Sequence, residues 1–358
     1  MMKRLLIFCA IFIVVFSSTR LLAFFTASKN ETFEFSKDKG KKRAKKNKKN
    51  KAEIPSEEFV IQHDTVLVTE EETISFLRTD KACKKWVDSV YNSLSPEERI
   101  AQCFMLAANT QGKDENMTYI LRMARENKCG GVIFFKGNPT AQAAFTNRLN
   151  DSIKVPLFVA IDGEWGLAMR LDSTMQYPHQ LTLGAIRDNT IIRKMGEAIG
   201  KECRRIGLNI NFAPVVDVNN NAKNPVINDR SFGENKMNVA VKGVEYMDGL
   251  QSQNVVACAK HFPGHGDTDV DSHQTLPTIN KSLEQLDTLE LFPFKVMFNA
   301  GVASVMTAHL NLPKIDSTQN LPSSLSPIVT TDLLRKKLGF QGLIVTDALN
   351  MKGASKFY

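Results

Sequence analysis

Residues 255–277 read VVACAKHFPGHGDTDVDSHQTLP, an apolar and β-branched run that stops at Lys260 and gives way to a polar loop with three His and three Asp. The run has the length and composition of a buried strand, and Pro263 and Gly264 end it. The same junction recurs along the chain. Strand candidates are QCFML, GVIFF, PLFVAID, LNINFAPVVDV, VVACAK, VASVMTAH and LIVTDA, seven in all. Helical periodicity fills the intervals, as at 189–206 and 283–299, entered after Asn or Ser and left at Gly. The spacing predicts a first helix near Ser95, with Ser95 as N-cap, Pro96 in the first turn and Glu98 closing a capping box. Alternating strands and helices predict an α/β fold around a parallel sheet. Most of these strands end in a chemically able residue: Asp162, Asp217, Lys260 with His261, His309 and Asp347. In a (β/α)8 barrel all such ends face one way, where barrel active sites form. A doubly wound sheet also binds ligands at its carboxyl ends, so this pattern alone leaves both folds open.

Composition bounds what surrounds this core. The chain has 358 residues, 43% of them hydrophobic, enough for one large core or two modest ones. Its formal charge of +8 is concentrated: residues 37–51 carry ten Lys or Arg against one Asp, a local +9, and the remainder sums to −1. The folded part therefore has no positive excess for phosphate backbones, and no nucleic-acid partner is predicted. The charged run is poor in apolar residues and self-repelling, which predicts a disordered spacer, with membrane or anionic wall-polymer contact as its functional alternative. Before it, Lys3 and Arg4 precede an apolar stretch from Leu5 to Phe16. That is a signal-peptide shape, which 21–25 extends toward a retained anchor. The expected organisation is a signal peptide or anchor at 1–27, a Lys-rich linker and lead-in at 28–80, and the α/β part at 81–358. Such a protein is exported, periplasmic or membrane-anchored facing outward. Of six cysteines, Cys9 lies in the leader; the other five are widely spaced with no CxxC pair, which predicts buried free thiols.

The loop at 260–277 invites a metal reading, since His261 and His265 are four apart and Asp267, Asp269 and Asp271 alternate. Pro263 and Gly264 would break the helix that a zinc pair at that interval needs. A calcium loop wants Gly and Glu where Ser272 and Thr278 stand. No metal or cofactor is predicted, and no GxSxG elbow offers a serine nucleophile.

KHFPGHGDTDVDSH in this loop, IDGEWGLAMR at 161–170, NPVINDRSFG at 224–233 and LIVTDALNM at 343–351 resemble, in order, the motifs of family 3 glycoside hydrolases. The resemblance is to the branch of β-N-acetylglucosaminidases that cut peptidoglycan fragments. It implies a TIM-like (β/α)8 barrel at 81–358 and retaining hydrolysis of terminal β-linked N-acetylglucosamine. It also implies Asp347 as nucleophile, His273 as acid/base with Asp271 as its partner, and Asp162, Arg170, Arg230, Lys260 and His261 as substrate-binding residues. The side chains suit these roles. A retaining glycosidase needs a carboxylate to attack the anomeric carbon and a second group to give and take a proton, and an imidazole titrates near neutrality. For Asp347 the alternative is a helix N-cap. His265 and Asp267 are expected to shape the loop. Trp165 stands where the resemblance leads us to expect Gly; stacking on a sugar, narrowing of the leaving-group side and core packing are all open to it.

After Asp347 only eleven residues remain, too few for another βα unit, so seven strands are expected and the barrel is expected to lack its eighth. The expected partner is a carbohydrate containing N-acetylglucosamine; no protein partner is predicted. A metal-dependent barrel hydrolase and a catalytically impaired wall-binding fragment are the competing readings.

Overall fold

The computed structural model describes Phe76 and residues 80–111, 115–272 and 274–358. The segments expected at 1–27 and 37–51, and His273, lie outside the described residues.

Seven strands form one parallel sheet in sequence order: β1 (Met105–Asn109), β2 (Gly131–Lys136), β3 (Phe158–Ile161), β4 (Ile210–Asn211), β5 (Val256–Phe262), β6 (Ser304–Thr307) and β7 (Leu343–Thr346). Each falls at an expected run, and no eighth strand occurs among the described residues. Between them lie α3 (Glu115–Arg125), α4 (Pro139–Asn150), α5 (Gln180–Gly184), α6 (Thr190–Arg205), α7 (Lys236–Ser252), α8 (Leu283–Thr288), α9 (Leu291–Asn299) and a π-helical segment at Ile328–Lys337; α10 (Lys352–Ser355) follows β7. The architecture is that of a TIM-like barrel, with seven strands among the described residues.

The sequence places two starts wrongly. A helix, α1 (Lys81–Ser93), precedes the one expected first, and the Asp80 carboxylate caps it by accepting from the Cys83 N–H at 2.9 Å. The expected helix is α2 (Pro96–Ala101), with both arms of its capping box formed: Ser95 Oγ accepts from Glu98 N, and Glu98 accepts from Ser95 N. Because α2 runs to Ala101 and turns through Gln102 and Cys103, β1 begins at Met105 instead of Gln102. The helix expected over 283–299 is broken at Leu289 and Glu290 into α8 and α9.

Alternation along the strands builds two apolar layers. Val159 and Ile161 of β3 join the larger cluster with Phe145, Leu149, Phe262 and Phe294, while Phe158 and Ala160 face a smaller one with Ile210, Phe212, Cys258 and Met306. Four of the five described cysteines are buried and Cys103 is exposed; none forms a disulfide with another described cysteine. The predicted strand 208–218 shrinks to two residues in β4, partly because Pro214 has no N–H to donate. Side chains supply the missing bonds. Asn209 Oδ1 accepts from Val159 N at 2.8 Å and its Nδ2 donates to Leu157 O, while Asn211 clamps Gly163, accepting from its N–H at 2.8 Å and donating to its carbonyl at 3.1 Å.

Replacing Asn211 with Ala strands the buried Gly163 N–H, at about 1–3 kcal/mol, and removes one of several donors to the Gly163 carbonyl. It should lower the urea midpoint more than Ser95→Ala, which removes a surface cap worth about 1 kcal/mol. The reverse order would show that the Asn211 clamp contributes little.

Candidate active site

The carboxyl ends of β3 and β5 bring opposite charges together in a buried place. Lys260, 2% exposed, stands on β5 where the register with β6 shifts, a bulge that re-aims successive side chains. Its Nζ donates to Asp162 Oδ1 at 3.0 Å and lies 2.8 Å from Glu164 Oε1. Glu164, 1% exposed, takes a bidentate pair from Arg230, with Nε at 2.9 Å and Nη2 at 2.7 Å. Arg170 Nη2 donates to Asp162 Oδ2 at 2.8 Å, and its guanidinium lies over Phe135. Burial would raise the Glu164 pKa, yet Arg230 and Lys260 hold it far below the ordinary carboxylate range. Burial opposes the charge on Lys260 and Arg230 too, and the carboxylates overcome it and raise both.

A second buried carboxylate organises the loop. Asp217 accepts from the backbone N–H of His261 at 3.2 Å, from His261 Nδ1 at 2.7 Å and from the His265 N–H at 2.6 Å. Burial raises its pKa, but His261 and the other donors prevail and lower it. Arg230 Nη2 lies 3.4 Å from the opposite nitrogen of His261, so that ring bridges the two charge groups. Gly266 passes so close to the strand end that an added Cβ would stand 1.8 Å from the Val218 carbonyl oxygen. Asp267 pairs with Lys281 at 2.5 Å, which also holds buried Glu290, and Asp269 accepts from Asn221 at 2.7 Å. As expected, His265 and Asp267 shape the loop.

Asp347 follows β7, half-buried, its N–H donating to the Thr307 carbonyl at 2.9 Å. Its Oδ1 accepts from the Ala348 N–H at 2.7 Å. His309 steadies this turn: Nε2 lies 3.0 Å from the Ala348 carbonyl, and Nδ1 lies 2.7 Å from Ser324 Oγ. Burial would raise the Asp347 pKa; His261, the Ala348 N–H, His309 and Lys260 together lower it. The capping alternative fails, since the N-cap of α10 is Met351. Asp162, Arg170, Arg230, Lys260 and His261 thus form one network joined through Glu164, and His261 and Lys260 of it act electrostatically on Asp347. Asp271 accepts from Gln274 N and Thr275 N through its carbonyl.

Sequence reasoning missed Glu164 and gave Asp217 no role. Charge balance is the signal for Glu164: Lys260 and Arg230 cannot both be buried against Asp162 alone. Trp165 is half-buried and stacked on His179 at 4.1 Å, outside the two apolar clusters, and His179 Nδ1 lies 2.7 Å from Asp229 Oδ2. No metal centre assembles among the described residues. Both His265 ring nitrogens face hydroxyls, Thr268 Oγ1 at 3.0 Å and Ser272 Oγ at 3.1 Å.

Residues 97–358 match the family model described as "Glycosyl hydrolase family 3 N terminal domain". "Beta-hexosaminidase A" of Pseudoalteromonas piscicida is 38% identical over 252 residues, which are 64% of this chain and 42% of that protein. The chain spans about half the length of the curated relatives it matches first. Among solved structures, a family 3 β-N-acetylglucosaminidase from Paenibacillus sp. superposes with a TM-score of 0.68 at 39% identity, covering 74% of this chain and 51% of that one. NagZ from Neisseria gonorrhoeae, solved with N-trifluoroacetyl-D-glucosamine, gives 0.62 at 30% identity, covering 69% and 74%.

Burial, with His261 nearby, lowers the His265 pKa from 6.5 to about 4. Between those values the unfolded chain binds a proton that the folded chain does not, so stability falls as pH falls through this window. The expected loss is about 3 kcal/mol from pH 6.5 to 4. Urea melts of the wild type and His265→Gln at pH 7, 5.5 and 4.5 check this: the variant should lose less stability on acidification, and parallel curves would refute the assignment.

Proposed function

The chain belongs to glycosyl hydrolase family 3 through the N-terminal domain of that family, and on that basis we propose that it carries the catalytic barrel of a retaining exo-β-N-acetylglucosaminidase. The substrate would be terminal β-linked N-acetylglucosamine on cell-wall glycan or muropeptide. The similarity to proteins named β-hexosaminidase and β-N-acetylglucosaminidase supports the sugar. A wall substrate also requires export, the role expected of 1–27.

The observation that carries the reading is Asp347, a half-buried carboxylate at the end of β7 kept ionised by the cations and N–H groups around it. An ionised carboxylate is a competent nucleophile at an anomeric carbon. Asp347 attacks that carbon and the bond to the leaving sugar oxygen breaks. His273, partnered by Asp271, gives its proton to that oxygen. In the second half, water gives a proton to His273 and its oxygen displaces Asp347. Asp162, Lys260, Arg170, Arg230 and His261 offer donors and acceptors to the sugar hydroxyls and acetamide.

Replacement of Asp347 by Asn should lower turnover of a chromogenic β-N-acetylglucosaminide on the order of 10^4-fold or more, the scale on which loss of a covalent nucleophile acts. The folded spectrum should be kept, and an activated 2-fluoro glycoside should label Asp347. Labelling of another carboxylate would overturn the assignment. His273→Ala should cost about 10^2-fold to 10^4-fold with a sugar leaving group and far less with a nitrophenyl one, because only the former needs protonation. Equal losses would remove His273 from the role.

A further inference from the structure

The His265 ring nitrogens bond none of the groups assigned to sugar binding, although the ring meets His261 edge-on with centroids 6.0 Å apart; the residue is 1% exposed and both nitrogens are engaged. The Thr268 hydroxyl donates to the His265 carbonyl at 3.2 Å. With that hydrogen committed, Thr268 Oγ1 accepts from the ring, which fixes the proton on Nδ1 and leaves Nε2 to accept from the Ser272 hydroxyl at 3.1 Å. Asn224 holds the same corner, its Nδ2 donating to the His265 carbonyl at 2.8 Å and to Thr268 Oγ1 at 3.3 Å.

The two ends of this link are what matter. The backbone N–H of His265 donates to Asp217, the carboxylate that holds His261. Ser272 is 2% exposed, stands between Asp271 and His273 in sequence, and accepts through its carbonyl from the Gly353 N–H at 3.1 Å. Gly353 lies in α10, the short helix after β7, and an added Cβ there would stand 2.8 Å from that same carbonyl. Ser272 is therefore gripped from the β5 side by an imidazole and from the β7 side by a glycine that fits only closely.

We propose that His265 is a positioning residue, an imidazole whose bond to the Ser272 hydroxyl fixes the Asp271–Ser272 segment that precedes the proposed proton shuttle in sequence. This rests on the reading of His273, partnered by Asp271, as that shuttle. A histidine that only filled the core would affect all substrates alike; one that places the shuttle affects the substrates that need it.

The test uses the full chain and two substrates, N,N′-diacetylchitobiose and 4-nitrophenyl β-N-acetylglucosaminide. Ser272→Ala removes only a hydroxyl and should lower kcat on the disaccharide roughly 10-fold, the worth of one hydrogen bond, with little change on the nitrophenyl substrate and KM kept. His265→Ala should lose more in the same pattern. His265→Gln, whose amide can still face Ser272, should recover part of it. Equal losses on both substrates, or a fully active Ser272→Ala, would overturn the proposal. A wild type that turns over neither substrate would instead sink the functional reading. Hydrogen exchange then decides the positioning role by itself: amides at 268–272 should exchange faster in Ser272→Ala than in the wild type, and unchanged exchange would refute it.

Discussion

Everything at the carboxyl end of this sheet depends on a buried pairing of charges. Lys260, Glu164 and Asp162 are each less than a tenth exposed. Removing such ions from water costs several kcal/mol apiece unless each meets an opposite charge in good geometry. Here the partners come from different elements: Asp162 and Glu164 follow β3, Lys260 lies on β5, and Arg230 ends the short helical turn Asn228–Arg230. None of these can drift without stranding a charge, so the network fixes the ends of these elements against one another. The scaffold behind is built to match. Tyr246 of α7 donates toward the carbonyls of Gly163 and Glu164, at 3.0 and 3.2 Å. It reaches them from a helix packed closely on α6, where Cβ atoms on Gly196 or Gly249 would collide with the facing backbone.

Three buried histidines show how one side chain takes different duties from its neighbours. His261 faces a carboxylate and a guanidinium, which suits a group touching polar substrate. His265 faces two hydroxyls and is kept neutral well below ordinary pH by burial. His309 is held between Ser324 and the Ala348 carbonyl, where it steadies the turn carrying Asp347. Spacing in the sequence made His261 and His265 look like a ligand pair. Their environments separate them.

Much of the architecture was legible because period and punctuation are local. The apolar runs mark all seven strands, and Ser95, Pro96 and Glu98 mark a helix start to the residue. What escaped depends on distant partners. The long run at 208–218 reads as a strand by composition, but Asn209 and Asn211 exchange ladder bonds for side-chain ones with residues about 50 positions away. Glu164 sat unremarked within a quoted motif, since nothing nearby says that Arg230, 66 residues on, needs it. The α8 to α9 break falls where buried Glu290 reaches Lys281, a polar demand that outweighs helical periodicity. Motif resemblance supplied the candidate binding residues, and the fold shows why they form a set.

The same electrostatics bears on why a histidine would shuttle the proton. A carboxylic acid used as general acid must stay protonated near neutral pH, which requires a raised pKa. This site does the opposite: its cations and N–H donors lower Glu164, Asp217 and Asp347 alike, despite burial that would raise each. A second carboxyl placed among them would ionise as well and hold no proton to give. An imidazole avoids the conflict, because its protonated form is the charged one and a nearby carboxylate favours it. In the proposed mechanism the charges that keep Asp347 ionised therefore also select against the usual pair of carboxylic acids, and a His and Asp pair meets both requirements.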